Sequence, residues 1–155
     1  MLRCQKTRPR GWNRCLNMKR RDLALEHAIL ALWRKLELKP TRVLLAVSGG
    51  LDSLVMAEIL WKWRALMKLD LSVAFIHHGR ADLRQRRYRE RAQKIVHEWC
   101  QRHDVVFLTN SPPDLRLNSE DELRQFRLKL LRRWQIEGGY HAVAFAHHAD
   151  DLLET

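Results

Sequence analysis

Cysteine, proline and glycine are scarce: 155 residues hold 3, 4 and 6 of them. Cys4, Cys15 and Cys100 form neither a close pair nor a metal-ligand spacing. That excludes a disulfide scaffold and fits a reducing cytoplasm, with Cys100 a buried free thiol on an apolar helical face. No run of about 18 apolar residues occurs, so a bilayer-spanning helix is not expected, and no apolar block opens the chain as a secretory signal would. Acid is also short, with 18 Asp and Glu against 29 Lys and Arg, a formal charge of +11. Such a balance favours polyanionic partners without identifying one.

The length suits one globular domain. Residues 1–21 are rich in Arg and Lys and contain no acid, no serine and the turn-formers Pro9 and Gly11. They read as a disordered basic arm available to RNA, or as an over-long reading frame if Met18 is the start. The absence of serine argues against an organelle-import leader.

From Asp22 the pattern is periodic. Leu25, Ile29, Leu32, Trp33 and Leu36 line one helical face, and Pro40 closes the segment. Val43 to Val47 is a short apolar run of the kind that forms a strand buried on both faces. A helix follows with Val55, Ile59, Leu60, Trp63 and Leu66 on its face, then a strand from Leu71 to Ile76. Tyr88, Ala92, Ile95, Val96 and Trp99 mark a third helix, Val105 to Leu108 a strand, Leu123, Phe126, Leu130 and Trp134 a fourth helix, and Ala142 to Ala146 a last strand. Strands separated by helices predict an α/β fold, a doubly wound parallel sheet with helices on both faces. Ligands of such sheets bind beyond the carboxyl ends of the strands. Ser48 to Ser53, His77 to Gly79 and His147 to Glu154 are therefore expected at one crevice.

The first strand runs straight into Ser48-Gly49-Gly50-Leu51-Asp52-Ser53. Two glycines let successive backbone N–H groups turn toward one point, and the helix expected to begin near Ser53 adds its positive end. An anion should bind there, with Ser48 and Ser53 donating hydroxyls and Asp52 explained best as a magnesium ligand. No Lys-Ser or Lys-Thr follows for a Walker loop, and the Gly-x-Gly spacing of a dinucleotide site is missing.

The segment resembles the pyrophosphate loop of the N-type ATP pyrophosphatases, matching Ser-Gly-Gly-x-Asp-Ser at every fixed position. Within that superfamily three further segments resemble the tRNA(Ile)-lysidine synthetases. His77-His78-Gly79 is similar to a His-Gly-Leu-Arg turn, with Arg80 following the glycine directly. Ser119 to Arg127 is similar to a Glu-x-x-x-Arg-x-x-Arg-Tyr helix, with Leu128 in the tyrosine's place. There Glu120, Arg124 and Arg127 span an arc of about 60°, and Ser119 with Glu122 forms a capping box. His147-His148-Ala149-Asp150-Asp151-Leu152-Leu153-Glu154-Thr155 is close to His-His-x-x-Asp-x-x-Glu-Thr, which sets Asp151 and Glu154 on one helical face.

The resemblance implies an adenine nucleotide alpha hydrolase-like fold over 22–155, the N-terminal part of an ATP-binding domain whose later domains are not in this chain. It implies ATP and Mg2+, with Ser48, Gly49, Gly50, Leu51, Asp52, Ser53, His78 and Arg127 holding the nucleotide and Asp52 and Asp151 the metal. Asp52, Arg124, Asp151 and Glu154 would serve catalysis on an isoleucine tRNA with a CAU anticodon and on L-lysine. A sheet cut at Thr155 is expected to be marginally stable or to associate with itself or a complementing chain. Two alternatives stand beside this reading. One is a tRNA thiolation enzyme on the same loop, which generally needs paired cysteines. The other is a truncated module that only binds nucleotide or RNA, using the arm and the arginines from Arg80 to Arg91, with tryptophans for stacking.

Overall fold

A computed structural model of the chain describes residues 21–35, 41–77, 83–111 and 119–146. Helix α1, Arg21–Lys35, belongs to a compact unit separate from the one that holds every other element. It ends before Pro40 and buries Leu30. The second unit runs β1 (Thr41–Ala46), α2 (Leu51–Met67), β2 (Leu69–Phe75), α3 (Leu83–His103), β3 (Val106–Thr109), α4 (Glu120–Glu137) and β4 (Ala142–Phe145). The four strands pair in parallel in the order β3-β2-β1-β4. The expected doubly wound sheet is thus observed. Residues 1–20 and 147–155, with the basic arm and the last motif, lie outside the described residues, as does His78.

Burial explains the strand composition. On one face Val43, Leu45, Val73 and Phe75 pack against Ala57 of α2 and Ala92, Val96, Trp99 and Cys100 of α3. On the other, Leu44 and Ala74 pack against Leu131 of α4, with Phe126, Leu130 and Trp134 closing over them. A strand covered on both faces needs apolar side chains in both alternating sets, which is why β1 shows no polar alternation. Each such Val or Leu contributes about 1.5–3 kcal/mol when fully buried.

Two helical faces differ from the expected ones. In α2 the core side carries Ala57, Ile59 and Met67, while Val55 and Leu66 are exposed and Trp61, rather than Trp63, packs on the core. In α3 Tyr88 and Ile95 are exposed, and the buried line is Ala92, Val96, Trp99 and Cys100. The capping box on α4 is present as expected: the Glu122 N–H donates to Ser119 Oγ at 3.1 Å, and the Ser119 N–H to Glu122 Oε2 at 3.2 Å.

Trp61 and Trp99 enclose His103, with ring centroids 4.0 and 4.5 Å away. Trp61 Nε1 donates to the His103 carbonyl at 3.2 Å, and Trp99 Nε1 to Glu58 Oε2 at 2.9 Å. Burial lowers the imidazole pKa below its ordinary 6.5, outweighing the opposing pull of Glu58. A base with a depressed folded pKa stays neutral where the unfolded chain already takes up a proton. This contribution to stability is therefore flat above about pH 6.5 and declines as pH falls toward the folded value. Urea titrations at about pH 7.5 and 5.5 should show a loss of stability that is smaller in His103→Phe than in the natural chain. Equal losses would mean that other groups set the acid response.

Candidate functional site

The parallel register aligns the carboxyl ends of β1, β2 and β4. Ala46 sits opposite Ala74 on one side and Phe145 on the other, and the Val47 N–H extends the ladder to the Ala74 carbonyl at 3.0 Å. Ala46 and Ala74 are small, so the sheet ends in a hollow rather than a filled layer. A pocket of about 70 Å³ lies there, lined by Ser48, Ser53, Ile76 and Arg127 among others.

Between β1 and α2 the chain turns through Gly49 at φ +84° and reaches Gly50, the N-cap of α2, in extended geometry. Gly49 is required twice over. Its φ is one that side-chain-bearing residues rarely adopt, and a Cβ there would stand 2.8 Å from Ala92 Cβ of α3. The helix starts at Leu51, two residues ahead of the expected Ser53, so Asp52 and Ser53 lie in its first turn. Ser53 is buried and donates to the Gly50 carbonyl at 2.9 Å. Its Oγ is 3.2 Å from Ser48 Oγ, which in turn accepts the Gly50 N–H at 3.3 Å.

The starts of α2 and α4 contrast. Helix α4 has a side-chain cap, Ser119 Oγ accepting the Glu122 N–H. Helix α2 begins at a glycine with no side-chain cap, and Ser53 of its first turn lines the hollow, so the positive end of its dipole lies beside it. Asp52, exposed in that turn, stands at the same end.

From the opposite face of the sheet α4 sends Arg127 into this pocket. Its Nε is buried and, among the described residues, is the one side-chain polar atom so buried that has no hydrogen-bond partner. Burial, and then the nearby Arg124 charge, lower the Arg127 pKa. A guanidinium with one N–H buried away from both water and acceptor, beside a second cation, is suited to an anion.

A larger cleft of about 660 Å³ opens on the other side of the loop, between Ser48, Gly50 and the first turns of α3, with Arg84, Tyr88 and Arg89 on its wall. Sequence periodicity places Tyr88 in the core, whereas it stands on this wall with Arg84 and Arg89, two of the arginines that the RNA-binding alternative names. The usable signal was the clustering of arginine around a lone tyrosine just after a strand. His77 has a structural part here: its N–H donates to Asn110 Oδ1 at 2.8 Å, Asn110 Nδ2 returns a bond to the His77 carbonyl at 3.2 Å, and the ring Nε2 lies 2.8 Å from Gln93 Oε1. Asn110, beyond β3, thus holds the end of β2 in place.

Of the expected site residues, Ser48, Ser53 and Arg127 line one hollow; Gly49, Gly50, Leu51 and Asp52 belong to the same loop and helix start, and Arg124 is close to Arg127. His78, Asp151 and Glu154 lie outside the described residues; β4 ends at the same crevice, where Phe145 and Ala146 line the small pocket. Among the described residues no group of three acidic, histidine or cysteine side chains is placed to hold a metal.

Residues 22–155 match a family described as the PP-loop domain. The chain belongs to the PP-loop family. It is similar to the tRNA(Ile)-lysidine synthase of Bdellovibrio bacteriovorus, 34% identical over 131 residues, which cover 84% of this chain and 40% of that protein. The tRNA(Ile)-lysidine synthase of Streptococcus agalactiae is 36% identical over 115 residues, 74% of this chain and 25% of that protein. One from a Thermotoga species is 35% identical over 118 residues, 73% of this chain and 28% of that protein. This PP-loop chain therefore spans between a quarter and two fifths of the length of these relatives. Among its described residues no helix is long and apolar enough to cross a membrane.

Proposed function

We propose that this PP-loop chain binds ATP with Mg2+ at Ser48–Ser53 and acts as the nucleotide-handling part of a cytoplasmic tRNA(Ile)-lysidine synthase. The observation that carries the reading is the pairing of a helix start without a side-chain cap and Arg127, whose buried Nε has no hydrogen-bond partner, at one small pocket. Those groups suit the phosphates of a nucleotide, and the names of the relatives point to the reaction.

The loop N–H groups, Ser48, Ser53 and Arg127 hold the β- and γ-phosphates. Leu51 contributes its N–H, and His78 borders the nucleotide. Asp52 and Asp151 take Mg2+, which offsets phosphate charge. The wobble cytidine oxygen of an isoleucine tRNA with a CAU anticodon attacks the α-phosphorus, and pyrophosphate leaves. The lysine amine then attacks the activated ring carbon, AMP leaves and the nitrogen gives up a proton. Arg124 stabilises the charge that builds on the α-phosphate, and Glu154 with Asp151 receives the lysine ammonium. Catalysis by positioning and charge needs no covalent intermediate on the protein. Burial pushes the Cys100 thiol up to about 12, so it stays protonated at neutral pH and is unsuited to carry sulfur, which weighs against thiolation.

ATP–pyrophosphate exchange by the 155-residue chain, with magnesium and unmodified isoleucine tRNA but no lysine, tests the proposal. Exchange that requires the RNA and disappears in Asp52→Ala is the expected result. A folded chain that binds Mg-ATP yet exchanges no pyrophosphate would replace the proposal with a nucleotide-binding module.

A further inference from the structure

The first turns of α3 break a local rule. Residues 83–93 hold five arginines, Arg84, Arg86, Arg87, Arg89 and Arg91, against one acid, Glu90, a balance of 5 − 1 = +4. The helix carries no acid in its first turn. Cations at a helix start oppose the macrodipole and one another, each at a cost of about 0.3–1 kcal/mol. Some exposed arginines elsewhere are paired, Arg42 with Asp70 at 2.9 Å and Arg133 with Glu137 at 2.8 Å. Arg84, Arg87 and Arg91 have no ion pair among the described residues. Local conflicts of this kind mark places where a ligand supplies the missing charge.

Geometry says which ligand. At about 100° per residue Arg84, Arg87 and Arg91 fall within about 60° of one another, and Tyr88 lies about 40° from Arg84 on the cleft side. From Arg84 to Arg91 the stripe climbs about 10.5 Å. Arg84 and Tyr88 also line the 660 Å³ cleft that opens on Ser48 and Gly50. Tyr88 is 68% exposed, so its ring stands at the mouth rather than in the core. A linear row of cations beside an exposed aromatic, ending at a phosphate loop, fits a polymer with regularly spaced phosphates and stackable bases. A nucleotide alone would fill the pocket and leave Arg87 and Arg91, which point along the outside of the helix, without a partner.

We infer that the Arg84–Arg87–Arg91 stripe tracks the backbone of single-stranded RNA, and that Tyr88 stacks on a base at the cleft mouth, delivering the neighbouring nucleotide to the loop. This rests on the proposed function for the site the RNA enters and adds the path by which it arrives.

The probe is a fluorescein-labelled RNA hairpin with a CAU loop, titrated with the 155-residue chain by anisotropy at several salt concentrations. Mg-ATP binding is measured in parallel as a check of fold and loop. Arg87→Gln with Arg91→Gln should reduce the slope of log affinity against log salt by about 1.4, two contacts at about 0.7 each, and leave Mg-ATP affinity unchanged. Tyr88→Ala should weaken hairpin binding about 5- to 150-fold without altering that slope, and Tyr88→Trp should restore it. A natural slope in the double variant overturns the inference while pyrophosphate exchange leaves the proposed function standing. An equal loss of Mg-ATP affinity in the double variant overturns it too, by assigning the stripe to the nucleotide. A natural chain that binds Mg-ATP but not the hairpin removes both.

Discussion

Gly49→Ala should lower the stability of the second unit by about 2–4 kcal/mol and abolish nucleotide binding. Left-handed backbone costs a residue with a Cβ about 1–2 kcal/mol, and forcing an extra carbon into a filled contact costs about 1–3 kcal/mol. The reduced freedom of the unfolded chain returns about 0.4–1 kcal/mol. The contact part is steep because the new Cβ meets Ala92 Cβ at 2.8 Å and also the Ala92 backbone at 3.2 Å, and neither is a flexible side-chain end. Urea midpoints of Gly49→Ala, Ala92→Gly and the double variant separate the two terms. The double should be less destabilised than the sum of the singles by about 1 kcal/mol or more, because removing the Ala92 Cβ relieves the closest contact and leaves the φ strain. Singles that add to within about 0.5 kcal/mol would show that α3 yields to the new methyl and that the glycine matters only for its φ. Mg-ATP binding should stay lost in the double, since the N–H groups after Gly49 cannot aim at one point unless φ is positive there.

The same contact explains what could and could not be read from sequence. The order of strands and helices, the glycine loop after a buried strand and the Ser119–Glu122 cap are local patterns, and each appears where local chemistry puts it. The rotation of α3 is not local. Its periodicity allows a face containing Tyr88 and Ile95, but Gly49 admits only a small residue against it, so Ala92 faces the loop and Val96, Trp99 and Cys100 follow it into the core. Tyr88 is thereby turned out to the cleft mouth. Helix α2 is apolar nearly all round, with Leu51 72% exposed, so no stripe distinguishes its buried side and the sheet decides in favour of Trp61. The candidate site divides in the same way. Ser48 to Ser53 could be named from their spacing, and Arg127 from the family's helix. That Arg127 Nε would be buried without an acceptor depends on how deep α4 sits on β1 and β4, which no single segment encodes.

Arg127→Met should make the nucleotide-free protein more stable than the natural chain and remove most of the stability that Mg-ATP confers. Without ligand the Nε–H is a cost: one buried donor without an acceptor is unfavourable by about 1–3 kcal/mol, and the Arg124 charge nearby adds repulsion. Methionine keeps the apolar stem that packs near Phe145 and removes the charge. With ligand the sign reverses. Charge-assisted hydrogen bonds to phosphate are worth about 1.5–3 kcal/mol, so affinity for Mg-ATP should fall about 10- to 150-fold. At a nucleotide concentration of about 100 Kd the natural chain gains about 2.7 kcal/mol from binding; a variant weakened about 100-fold gains about 0.4 kcal/mol at the same concentration. In melting curves Mg-ATP should therefore stabilise the natural chain by about 2.3 kcal/mol more than the variant, and the two proteins change places where the nucleotide-free gain is smaller than that. Arg127→Lys, which keeps the charge but loses the planar fork, should fall between them in both conditions. A variant less stable than the natural chain in the absence of nucleotide would give Arg127 a structural part in the fold. A variant that gains as much from Mg-ATP as the natural chain does would move the phosphates away from α4 altogether.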